Sequence, residues 1–271
     1  MSAVSVPVSV QVLKEINPKK NIGLIFNVRN THKWLSSYFD RHNDKEYINA
    51  MLIQKNKSDG NQKLTLKTKL SNSHYALTCI EEVLCISFLT LVSQKTKKNK
   101  AGMYNITEDQ MIDCINSSPD FKYTFGNSIE TYNTNYNYSC ELLLKKENID
   151  KLFSFHNSDT NTVLEHSAYN FLMFILLQNR ILLANSSYQM MMYAKKLSID
   201  YRAIMIAINI FYKEKSILYV SIKKKLEELS RLIKDKKDNK KDVDVDIDKN
   251  ADADADVDAD VNEEEGSDSN E

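Results

Sequence analysis

The chain has 271 residues, 42% of them hydrophobic and 27% charged, a length that fits one or two buried cores. With only 5 Gly and 3 Pro it is poor in turn residues, which argues against β-rich folds and for helices. The net charge of −1 hides an asymmetry: residues 242–271 hold 14 acids against Lys249, a net −13, which leaves 35 basic and 23 acidic side chains, a net +12, in residues 1–241. A basic body points to a polyanionic partner.

Residues 1–30 read as an arm, with a Val/Ser alternation from Val4 to Val12 and a Pro18-Lys19-Lys20 step. Met1 to Val12 lack the basic head and long apolar run expected of a secretory leader. Residues 31–56 predict helix, with apolar clusters at Trp34, Leu35, Tyr38 and Phe39 and at Tyr47, Ile48, Met51 and Leu52. A turn around Gly60 and an extended, alternating Lys63 to Lys69 follow. Residues 71–97 predict a long helix, capped by Ser71 or Ser73, with a broad apolar stripe through Ala76, Leu77, Ile80, Val83, Leu84, Phe88, Leu91 and Val92. Thr107 then caps a short helix that buries Met111, Ile112 and Ile115. Residues 128–140 are polar and aromatic without a period, as in a linker.

The second half repeats this layout. A short amphipathic segment, 147–156, places Ile149, Leu152 and Phe153 on one face, and a polar loop follows it. Residues 166–193 then form an apolar run with neither Gly nor Pro, which predicts a helix roughly 40 Å long at ~1.5 Å per residue. Gln178, Asn179, Arg180, Asn185, Ser186 and Ser187 make its middle too polar for a membrane span. A helix this apolar must be wrapped on several sides. Ser198 or Asp200 caps a further helix with Ile204, Met205, Ile208 and Phe211 inward. Residues 212–236 continue as helix, where Leu218, Ile222, Leu226, Leu229 and Ile233 trace a coiled-coil-like seam and Lys224 can pair with Glu228. The Ala/Val–Asp repeat of the tail cannot build a core and is expected to be disordered.

Short helix, long helix, short helix, twice, is the layout of a histone fold. Ser167-Ala168, separated by 25 residues from Ala194-Lys195-Lys196, resembles the middle helix and second loop of core histone three. Leu142-Leu143-Leu144-Lys145 is similar to the start of that fold. Ile106-Thr107 through Lys122-Tyr123-Thr124-Phe125-Gly126-Asn127 has the spacing of the last helix and tail of core histone four. The order, four-like and then three-like, resembles the fused histone doublets of large DNA viruses.

That resemblance implies an all-α chain of two tandem histone folds paired in a handshake. The expected organisation is an N-terminal arm with a helical segment (1–44), a four-like fold (45–127), a linker (128–140), a three-like fold (141–211), an extra helix (212–237) and an acidic tail (238–271). It implies double-stranded DNA and other histones or histone doublets as partners, homo-oligomers among them. It also implies a virion, host-nuclear or viral-factory location. A histone pair grips phosphates through loop cations and helix N-termini. The matching residues are Lys63, Lys67 and Lys69, then Lys95, Lys97, Lys98 and Lys100, then Lys145 and Lys146, and finally Lys195, Lys196 and Arg202. The chain departs from the family at Val163, where the three-like half would carry a minor-groove arginine, and at Met103-Tyr104, where a basic pair would stand. Ala203 and Tyr193 replace the acidic and histidine side chains of the family's contact between three-like halves.

Chemistry-bearing constellations are missing. His32, His42, His74, His156 and His166 lack metal-ligand spacing, and Asp244 to Asp260 lacks the Gly and terminal Glu of a calcium loop. Cys79, Cys85, Cys114 and Cys140 form no CxxC pair and read as buried, reduced thiols. With no phosphate-binding glycine loop or nucleophile motif, neither an enzyme nor a cofactor is expected. Three function classes stay open: a DNA-packaging doublet, a histone-fold scaffold or transcription-factor-like pair that binds protein more than DNA, and an unrelated helical structural or host-interaction protein.

Overall fold

The computed structural model describes residues 23–42, 69–100, 102–156 and 162–241. Among the described residues it is mostly helical: α1 (Val28–His42), α2 (Ser73–Lys95), α3 (Glu108–Ser117), α4 (Pro119–Phe125), α5 (Tyr138–Leu142), α6 (Lys146–His156), α7 (His166–Tyr193), α8 (Tyr201–Phe211) and α9 (Ile217–Lys241). Four three-residue strands punctuate the helices: β1 (Lys69–Ser71), β2 (Tyr104–Ile106), β3 (Thr162–Leu164) and β4 (Ser198–Asp200). The chain divides into two compact units, Met1–Ile233 and Lys234–Glu271, and the core belongs to the first. The Val4 to Val12 alternation, the helical pattern at 45–56, the turn at Gly60 and the acidic run from 242 lie outside the described residues.

Helix α7 is the centre. Phe171 through Leu177 are seven consecutive buried residues, and at ~100° per residue they cover every side of the helix. Helices α2, α3, α5 and α8 supply the surrounding contacts. Helix α2 has the same character over Ala76 to Glu82, so its first half is buried all round rather than along a stripe. By length and hydropathy both helices would qualify as membrane spans, but 67% and 72% of the relevant windows are buried inside this fold.

Two strand pairings set the crossing of these helices. β1, just before α2, runs parallel to β4, just after α7, with Leu70 opposite Ile199. β2, just after α2, runs parallel to β3, just before α7, with Asn105 opposite Val163. The start of each long helix therefore lies beside the end of the other, and the two cross antiparallel. Near the crossing, Arg180 Nε and Nη2 donate to both oxygens of Glu81 at 2.6 and 2.7 Å, and both side chains are buried.

Helix ends follow local chemistry. The Thr107 side chain accepts from Gln110 N–H while Gln110 Oε1 accepts from Thr107 N–H, a reciprocal capping box on α3. Asp200 Oδ1 accepts from Ala203 N–H at 3.0 Å and starts α8. At α2 the expected Ser cap gives way: Ser71 is committed to β1, and Asn72 stands before the helix at φ 58 without a side-chain cap bond. Asn tolerates that left-handed backbone better than most residues.

The linker is more structured than its sequence implies. Tyr132 and Tyr138 lie with ring centroids 5.0 Å from Phe171 and 5.1 Å from Phe174, so aromatics with no period of their own seal one side of α7. The helix expected over 212–236 instead breaks after Phe211, turns with Lys215 at φ 65, and restarts at Ile217. Its seam faces inward: Leu218, Ile222, Leu226 and Leu229 are buried in the chain's own core and Ile233 packs against it. A seam already covered is not open to a second coil. The ion pair on this helix joins Lys225, not Lys224, to Glu228 at 3.2 Å.

Candidate nucleic-acid interface

The strand pairings and the starts of two helices gather the predicted basic residues into three places. At the β1·β4 end, Lys69 stands in register with Ser198, and Lys195, Lys196 and Arg202 are exposed in the adjoining loop and the first turn of α8. Lys195 adopts φ 50, which closes the chain tightly after α7. Lys196 Nζ lies 3.2 Å from Asp200 Oδ2. Hydrogen bonds from Ala203 N–H, Arg202 N–H and Lys196 outweigh burial and hold the Asp200 carboxyl below its ordinary pKa. A partly exposed pair of this kind adds little stability.

At the β2·β3 end, Lys97, Lys98 and Lys100 are exposed on the turn between α2 and β2. Lys98 Nζ sits 5.0 Å from the centre of the Tyr104 ring. Lys95 is turned aside: its Nζ donates to Ser117 Oγ at 2.6 Å. Lys63 and Lys67 lie outside the described residues.

The third place joins two helix starts. Lys145 and Lys146 are exposed at the beginning of α6. Asn30 Nδ2, in the first turn of α1, donates to Leu143 O at 2.8 Å, which brings the N-termini of α1 and α6 together. The exposed cations of this place are Lys145 and Lys146 at the start of α6 and Arg29 and Lys33 in the first two turns of α1. Sequence reasoning missed Arg29 and Lys33 because they fell in what read as an arm. The available signal was Asn27, whose side chain accepts from Arg29 N–H at 3.0 Å, a turn that opens a helix.

Buried charge fixes this scaffold. Glu82 Oε1 accepts from Ile25 N–H at 2.5 Å and Phe26 N–H at 2.6 Å, fastening the segment that leads into α1. Burial pushes its carboxyl up to about 8 despite those two bonds. Arg180 Nη1 donates to Leu142 O at 3.3 Å, and its guanidinium lies 5.3 Å from the Trp34 ring centre, so one side chain touches α1, α2 and α5. His74 meets His32 edge-on at 4.9 Å, and burial, then the charge of His32, lowers it to about 4. Cys79, Cys85 and Cys114 are buried, and burial raises each thiol, whereas Cys140 is exposed, against expectation. Among the described residues no cluster of three or more His, Cys, Asp or Glu could hold a metal.

No protein family, curated protein or solved structure matches this chain.

Proposed function

We propose that the chain is a histone doublet: two histone folds in one polypeptide, paired in a handshake, that bind and package double-stranded DNA. One observation carries the reading. Each strand pair joins a loop of one half to the opposite loop of the other half: at β1·β4 Lys69 of the first half stands in register with the segment that follows Lys195 and Lys196 of the second, while the cations at β2·β3, Lys97, Lys98 and Lys100, come from the first half. The start of α1, tied to Leu143 just ahead of α6, adds the exposed Arg29 and Lys33 to Lys145 and Lys146 for a further phosphate. In this reading α1 is the first helix of the four-like half, so that half begins upstream of residue 45, and α9 is an addition that covers the three-like half.

The partners that follow are duplex DNA and further histones or doublets, including copies of this chain, in nucleosome-like particles within a virion, viral factory or host nucleus. The role is structural rather than enzymatic. The acidic tail, −13 against a body of +12, would compete with DNA until assembly. Digestion of protein–DNA complexes with a nonspecific nuclease tests the reading. Packaging predicts protected fragments of discrete length, and uniform digestion at saturating protein contradicts it.

A second reading has its own support. Lys95 is engaged by Ser117, Lys196 by Asp200, and Val163 and Met103 stand where the family places cations. A histone-fold scaffold that binds protein more than DNA fits those substitutions, and it predicts a shallow salt dependence.

A further inference from the structure

The two strand-paired ends differ in what they turn outward. At β1·β4 the middle pair, Leu70 and Ile199, faces in, and Ser198 and Asp200 sit at the flanking positions. At β2·β3 the phase is reversed. Ile106 and Leu164 are buried, so the alternation of a strand turns Asn105 and its register partner Val163 outward, with Met103 on the same side two residues earlier. Val163 is 46% exposed and Met103 37%.

This apolar tip is rigidly presented. Asn99 N–H donates to Met103 O at 2.8 Å, Gly102 N–H to Asn99 O at 2.9 Å, and Met103 N–H to Asn99 Oδ1 at 3.0 Å. Gly102 takes φ +76, the backbone that a side chain would strain. Two hydrogen bonds thus hold the backbone of Met103, and a third holds Gly102 beside it, while the unbranched Met103 side chain is partly exposed. Lys97, Lys98 and Lys100 ring the same turn, and the nearby Glu165 carboxylate is held by Asn105 Nδ2 at 2.5 Å.

An apolar side chain on a fixed tip, surrounded by cations, matches the chemistry of a wedge that enters the minor groove and partly unstacks one base step while the cations hold the flanking phosphates. We infer that Met103, backed by Val163, is such a wedge, and that this end of the protein bends duplex DNA at a deformable pyrimidine–purine step. The inference rests on the DNA-binding reading above and adds the groove, the contact and the step.

The test uses the full chain and end-labelled duplexes with a central TA step or a central A-tract, followed by energy transfer between the ends and by affinity across a salt series. The wild-type protein is expected to bend the TA duplex and to prefer it by about tenfold, because flexible steps lower the bending cost. Met103→Ser with Val163→Ser should lose the bend and the preference while keeping the salt slope, and Met103→Leu should keep all three. Lys97→Ala with Lys98→Ala and Lys100→Ala should lower the slope by about 0.9 for each phosphate contact removed. Salt-dependent binding without a bend, a bend unchanged in the double serine variant, or a slope unchanged in the triple alanine variant overturns the wedge but leaves DNA binding standing. No salt-dependent binding by the wild-type protein overturns both.

Discussion

Replacing Arg180 by Ala removes the only cation that contacts Glu81 among the described ion pairs, and does so in the middle of the core. The arginine side chain is 3% exposed and the glutamate 1%, so water cannot compensate the carboxylate that remains. Removing one partner of a buried pair costs about 3–5 kcal/mol, because a desolvated charge is left behind. The lost bond to Leu142 O and the lost contact with Trp34 act in the same direction. Set against a typical total stability of about 5–15 kcal/mol, this one change should leave the fold marginal. Replacing both partners, Arg180→Met with Glu81→Leu, should be far milder, within about 1 kcal/mol of wild type or stabilising, since apolar side chains of similar volume need no partner. Urea unfolding of wild type, Arg180→Met, Glu81→Leu and the double variant, followed by circular dichroism, gives the full double-mutant cycle, with Arg180→Ala measured beside it. If Arg180→Ala costs less than about 1 kcal/mol, or the double replacement costs as much as the single one, the pair does not lock the two long helices together.

Other expectations concern the surface and pH. Lys195→Ala with Lys196→Ala should weaken duplex binding whatever the sequence and lower the salt slope by about 0.9 per lost phosphate contact, read by titration at several salt concentrations. Deleting residues 242–271 should tighten DNA binding, most at low salt where screening is least, and equal low-salt affinity with and without the tail would show that it does not act on the DNA-binding face. The raised carboxyl of Glu82 gives a sign: between its ordinary 4.5 and about 8 the folded state holds a proton that the unfolded state has released. Stability should therefore fall as pH rises through that window, and Glu82→Gln should gain on wild type from pH 5 to pH 9 in thermal melts, whereas parallel pH profiles would remove this role.

Much of the architecture was legible because it depends on periodicity and local caps. The two long helices announce themselves by apolar runs without Gly or Pro, and Thr107 and Asp200 by the helices with apolar faces that they precede. What stayed hidden depends on partners far apart in sequence. Arg180 looked like a reason to exclude a membrane, and nothing local pairs it with Glu81, 99 residues away. Tyr132 and Tyr138 have no period, so their burial against α7 could only come from the fold. The seam of α9 reads the same whether it faces a second coil or its own chain, and here its own chain covers it. At the candidate interface, composition located the loop lysines but could not say that Ser117 holds Lys95 or that Asn30 ties the start of α1 to Leu143, just ahead of Lys145 and Lys146, because those partners are distant in sequence.

The most direct test of the account is the slope of log affinity against log salt for the full-length protein on random-sequence duplex DNA. In the proposed reading, cations at the three places neutralise several phosphates together and release their counterions. With one phosphate from each of the two strand-paired ends and one from the starts of α1 and α6, the slope should be about −3 or steeper, at ~0.9 per phosphate. A slope near zero would contradict a DNA-binding doublet and leave the protein-binding scaffold as the better reading.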